Sequence, residues 1–148
     1  MCERYKFVII RIHRGQLAWF RERARRTYPL ETMALLVGQR ISPQVVGVAY
    51  LYYPKTTPIR DGVEVDMTVR EYQELCEVLK DRQPGLRVLG NIHSHPDDSP
   101  IMSEEDAANH RACGDAVTGI LTVRTKGRSS VEFWQSKDCL PLKLEYYK

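Results

Sequence analysis

The stretch Leu86-Arg87-Val88-Leu89-Gly90-Asn91-Ile92-His93-Ser94-His95-Pro96 decides how the rest of this chain is read. It is apolar, comes after the Pro84-Gly85 break and ends at a proline, so it reads as a buried strand. Residues two apart on a strand share a face, which sets His93 and His95 side by side. Two neutral imidazoles on one rigid strand make half of a zinc site.

Working outward, Ser103 to Cys113 predicts a short helix with an acidic start, closed by Gly114. Ala116 to Val123 and Ser130 to Trp134 predict a hairpin about Lys126-Gly127, and Leu140 to Tyr146 a last strand whose Pro141 suits a sheet edge. Upstream, Thr68 and Glu71 form a capping-box signature, and Val69, Tyr72, Cys76 and Leu79 lie at helical spacing. Thr32 to Ile41 and Val45 to Tyr53 read as two strands about the turn Ser42-Pro43-Gln44. Tyr5 to His13 reads as a first strand. Gln16 to Tyr28 reads as a helix with Leu17, Phe20 and Ala24 on one face, stopped by Pro29. Strands that both alternate with helices and pair in hairpins imply a mixed sheet with helices packed on its faces, an α/β fold. With no repeats and no linker, the 148 residues are expected to form one domain.

Composition narrows the function classes. A hydrophobic share of 43% and a charged share of 28% exclude a disordered or low-complexity chain. The most apolar run, Val45 to Tyr53, is too short to span a membrane, and the start at Met1 leads only to a brief apolar run before Arg11 and His13, so neither a membrane nor an export signal is expected. Cys2, Cys76, Cys113 and Cys139 are scattered, as suits reduced thiols in a cytoplasmic protein. A net charge of +3 is too mild to imply nucleic acid. One concentration stands out: Arg14, Arg21, Arg23, Arg25 and Arg26 against Glu22 in the first helix. It reads as a solvated face, or as a patch for an acidic partner or nucleic acid, although Trp19, Phe20 and Tyr28 are few aromatics for base stacking. Trp19 and Trp134 read as core or half-buried aromatics.

The His-Ser-His run gains weight from the residues downstream of it. Asp106, in the first turn of the next predicted helix, can fold back over the strand end through the Asp97 to Met102 loop and supply an oxygen ligand. Three protein ligands with an open fourth position define a catalytic zinc site. Each piece also has a plain reading. Two histidines can be packed or surface side chains, and Ser103 with Asp106 can be a helix cap alone. His13 reads as a turn residue, His110 as an exposed helix residue one turn beyond Asp106, and Asp97 and Asp98 as solvated loop.

His93, His95, Ser103 and Asp106 fall in the register His-x-His, seven residues, Ser, two residues, Asp. With Glu31 ahead of the apolar run Thr32 to Gly38, the chain resembles the JAMM, or MPN-plus, zinc metalloproteases, which include deubiquitinating enzymes and their prokaryotic relatives. The resemblance runs from Tyr5 to about Trp134 and implies one JAMM/MPN domain over 1–148, a curved mixed sheet of the cytidine-deaminase-like kind. It further implies one zinc ion per chain on His93, His95 and Asp106, with Glu31 as general base and Ser103 as hydrogen-bond donor to the developing oxyanion. The implied substrate is a ubiquitin-like protein or its conjugate, cut at a peptide or isopeptide bond after its C-terminal tail, which could lie extended beside a sheet edge. Thr32-Met33-Ala34 stands where the family often has a Cys-Gly pair, and Pro54 to Asp66 is too short for the ubiquitin-gripping insertion of eukaryotic members. Two other functions stay in view: a non-catalytic MPN scaffold subunit, and binding of nucleic acid or an acidic partner through the Arg-rich helix.

Overall fold

The computed structural model describes residues 7–55, 69–96, 117–123, 129–135 and 140–148. Along these the chain forms β1 (Ile9–Ile12), α1 (Arg14–Thr27), β2 (Met33–Ser42), β3 (Val45–Tyr52), α2 (Val69–Arg82), β4 (Arg87–Pro96), β5 (Val117–Val123), β6 (Ser130–Gln135) and β7 (Leu140–Tyr146). Each described element falls where hydrophobic periodicity places one. The predicted helix from Ser103 to Cys113 and the turn at Lys126-Gly127 lie outside the described residues.

The strands take the order β1-β3-β2-β4-β5-β6-β7, and β1 pairs back on β7. The mixed character is as expected: β4 runs parallel to β5, and β2 antiparallel to both β3 and β4. The closure is not. Pro141 pointed to an edge strand, but β7 is handed from one neighbour to the other: Leu140 to Leu142 pair with β6, and Lys143 to Tyr146 with β1. Pro141 sits in the half that β1 does not reach, so its missing N–H costs no ladder bond there. Closing the order also removes the long free edge on which an extended peptide could add a strand.

Each helix covers one face. Leu17, Phe20 and Ala24 of α1 are buried in the main core, which draws side chains from all seven strands, among them Ile10, Leu36, Val48, Ile92, Leu121, Phe133 and Leu142. That is the stripe read from the sequence. On the opposite face, Leu75 and Leu79 of α2 pack on Leu35 and Val37, with Met33, Tyr50, Tyr52 and Val88 alongside. Here the stripe is rotated from the one that helical spacing predicts: Val69 and Tyr72 are exposed, and Glu71, Leu75 and Leu79 are the buried positions. The reason is polar. Tyr52 Oη–H donates to Glu71 Oε2 at 2.6 Å and the Lys55 N–H donates to the same oxygen at 2.8 Å, which lets the carboxylate face inward and turns the helix with it. Trp19 is a second correction: it is 56% exposed, because Leu17 and Phe20 already fill the inward face of α1. Trp134 is half-buried, and Cys76 is an exposed free thiol.

Candidate metal centre on strand β4

The face on which β4 presents each residue is set by a bulge. Leu36 pairs with Gly90 but Val37 pairs with Val88, so one β4 residue, Leu89, is extra. Alternation counted from Val88, which packs under α2, would send His93 and His95 into the main core. The bulge resets the count, so Leu89 and Ile92 enter the main core while Asn91, His93 and His95 face the α2 side. Gly90 makes the step possible: its φ is +155°, and a Cβ there would run into the Val117 carbonyl of β5.

His93 and His95 then meet. Their Nε2 atoms are 3.1 Å apart, and the half-buried rings lie 4.9 Å between centroids at 51°. The far nitrogen of His93, Nδ1, is 3.0 Å from Asn91 Oδ1. A carboxamide oxygen only accepts, so this contact takes the proton on Nδ1 and leaves a lone pair on Nε2, directed at its neighbour. A proton between the two Nε2 atoms, or a cation held by both, accounts for so close an approach. A tetrahedral ion at about 2.0–2.1 Å from each nitrogen has ligand–ligand edges of about 3.3 Å, which the observed spacing suits.

Ser94, between the two histidines, faces the other way and is fully buried. Its N–H donates to the Thr32 carbonyl at 2.9 Å, and its Oγ accepts from the Thr32 N–H at 2.9 Å. These bonds carry the contact between the two strands one step past Met33 and His93, to Thr32 and Ser94, and Glu31 is the residue directly before Thr32. On β5 the residue in register with His95 is Thr122, and Thr122 in turn pairs with Ser130 of β6. The row His95, Thr122, Ser130 therefore crosses β4, β5 and β6, and Thr122 Oγ1 and Ser130 Oγ are buried with no hydrogen-bond partner among the described residues.

Sequence reasoning missed Asn91, Ser94 and Thr122. Asn91 and Ser94 could have been found, since each is a polar residue inside an otherwise apolar run next to the histidines. Thr122 needed the β4–β5 register. Ser103 and Asp106 lie outside the described residues, as do Asp97, Asp98, His110 and Cys113. Among the described residues no cluster of three or more metal-ligating side chains occurs.

Among the described residues the chain forms a closed, strand-rich α/β sheet with one helix on each face, the fold of a JAB1/MPN-type domain. It superimposes on a JAB1/MPN domain protein from Archaeoglobus fulgidus with a TM-score of 0.60 at 22% identity, covering 95% of this chain and 98% of that one. It also superimposes on a protein from Desulfitobacterium hafniense with a TM-score of 0.66 at 22% identity, covering 95% and 94%. The family of prokaryotic homologues of the JAB domain matches residues 13–137, and the chain belongs to that family. No curated protein sequence matches it. Among the described residues no helix is long and apolar enough to cross a membrane.

Proposed function

We propose that this chain is a cytoplasmic zinc-dependent peptidase or isopeptidase that cuts after the C-terminal tail of a ubiquitin-like protein. The observation that carries the reading is the 3.1 Å approach of His93 Nε2 to His95 Nε2, with the proton of His93 drawn to Nδ1 by Asn91. Membership of the JAB-domain family supports it. His93, His95 and Asp106 would hold the zinc, and the donor set of two imidazoles and one carboxylate leaves a position for water. Zinc there would supply the acidity that makes a nucleophile available near neutral pH.

The remaining work falls to this chain's own residues. Glu31, directly before the Thr32 that is bonded to Ser94, takes up a proton on its carboxylate and returns it to the leaving amine. Ser103 Oγ–H donates to the carbonyl oxygen as charge develops on it. Because the sheet order closes, the tail approaches the C-terminal end of β4 instead of adding to a long free edge.

Metal content and cleavage of candidate modifier fusions test the proposal. Purified protein should carry about one zinc, and His93→Ala and Asp106→Ala should each lose it. Glu31→Gln should keep the zinc and lose cleavage, and a chelator should abolish cleavage by the parent protein. Full zinc in both ligand variants, or full activity in Glu31→Gln, would overturn it.

A further inference from the structure

The exposed side of α1 is built differently from an ordinary solvated helix face. Trp19, Glu22, Arg23 and Arg26 recur at i, i+3, i+4 and i+7, so they form one ridge, and with Thr27 they line a hollow of about 170 Å³. That volume is of the order of a cavity that accepts a benzene ring. Trp19 is 56% exposed beside it. Arg23 is fixed over the Tyr53 ring, 4.8 Å from guanidinium carbon to centroid, so one wall of the hollow is preorganised. Arg26 Nε donates to Glu22 Oε1 at 3.3 Å, an exposed pair that holds its partners weakly and can be exchanged.

Charge says what fits. The helix carries five arginines and one acidic residue, an excess larger than the net charge of the whole chain, +3. Trp and Arg are also the side chains that most often anchor protein contacts. Nucleic acid fits less well, because a single exposed aromatic on the ridge offers no run of stacking platforms.

We propose that this ridge of α1 docks an acidic protein segment that carries one aromatic side chain, with the ring in the hollow against Trp19 and the carboxylates on Arg23 and Arg26. Leu17, Phe20 and Ala24 bind α1 to the core face of the sheet, opposite the face that carries His93 and His95, so the docked segment leaves the imidazole pair open. The surface is thus a second site, and its occupancy does not depend on zinc.

The test uses the full chain with EDTA present and a fluorescein-labelled peptide of Glu and Asp with one central Phe, read by anisotropy. Binding should weaken at least tenfold in Trp19→Ala, and in Arg23→Glu with Arg26→Glu. It should be unchanged in Lys80→Glu with Arg82→Glu, which alters the charge equally on exposed positions of α2. A peptide with Ala in place of Phe should bind at least tenfold more weakly. Equal loss in the α2 control, equal binding of the Ala peptide, no saturable binding at all, or tighter binding of a single-stranded DNA oligonucleotide at the same residues would each overturn the proposal. Trp19 is exposed and its replacement leaves the core intact, and circular dichroism of each variant verifies that it is folded. Since EDTA is present throughout, failure here is separate from failure of the zinc reading.

Discussion

Thr32 and Ser94 exchange two hydrogen bonds of 2.9 Å, one main chain to main chain and one from the Thr32 N–H to Ser94 Oγ, and through them the two halves of the candidate site are joined. Ser94 lies between the two histidines, and Thr32 comes directly after Glu31. The side chain that fixes their relative position is therefore neither a ligand nor a base.

Ser94→Ala tests that linkage. It leaves the Thr32 N–H buried without its partner, at a cost of about 1–3 kcal/mol. Thr32 is 3% exposed, so water cannot replace the lost acceptor without opening the strand pair. Zinc content should hold, because His93 and His95 are unaltered, while cleavage should fall at least tenfold as Glu31 loses its register. Loss of zinc together with activity would mean that Ser94 supports the histidines instead of Glu31.

The histidine spacing, the strand that carries it and the inward stripe of α1 were all legible in the sequence, because each obeys a simple period of two or 3.6 residues. The face of the histidines was not, since it turns on Leu89 being extra. A bulge leaves no periodic trace; only Gly90 hints at it. Gly90→Ala checks this role: the residue is at φ +155° and its Cβ would meet the Val117 carbonyl. The variant should lose roughly 3 kcal/mol or more, read as a fall in denaturant midpoint. A midpoint near that of the parent would show that β4 and β5 separate easily, and that Gly90 does not hold the register of the histidines.

The inward turn of Glu71 was hidden for another reason. Helical spacing ranks residues by polarity, and Val69 and Tyr72 outrank a glutamate unless Tyr52 Oη–H and the Lys55 N–H, both distant in sequence, are known to reach it. The closure of β7 onto β1 is likewise a long-range pairing that local pattern does not encode.

Thr122 offers a test in which a substitution should improve the protein. Its hydroxyl is buried with no partner among the described residues, and valine keeps the shape of the side chain without the polar atom. Removing a buried, unsatisfied hydroxyl should stabilise by about 1 kcal/mol, or roughly 3 °C in melting temperature for a domain of this size. Lower stability in Thr122→Val would show instead that a buried water satisfies Thr122 and Ser130 together.

Alkali should unfold this protein through the tyrosines of β3 and its exit. Burial first, then the hydrogen bond and charge of Glu71, push Tyr52 from 10.0 up to about 12. Burial pushes Tyr53 up to about 12 as well, against the opposing influence of Arg23. In the unfolded chain both phenols ionise near 10. The folded state keeps their protons to higher pH than the unfolded state does, so their contribution is complete below pH 10 and is lost as pH climbs from about 10 to about 12. Urea midpoints measured at successive pH values should stay level up to pH 10 and then drop, and Tyr52→Phe with Tyr53→Phe should flatten that drop relative to the parent. The double variant removes only the phenols, so lysine deprotonation over the same range is common to both proteins and cancels in the comparison. Identical slopes in parent and variant above pH 10 would show that these hydroxyls are hydrated in the folded chain and that Glu71 is held inward by the Lys55 N–H alone.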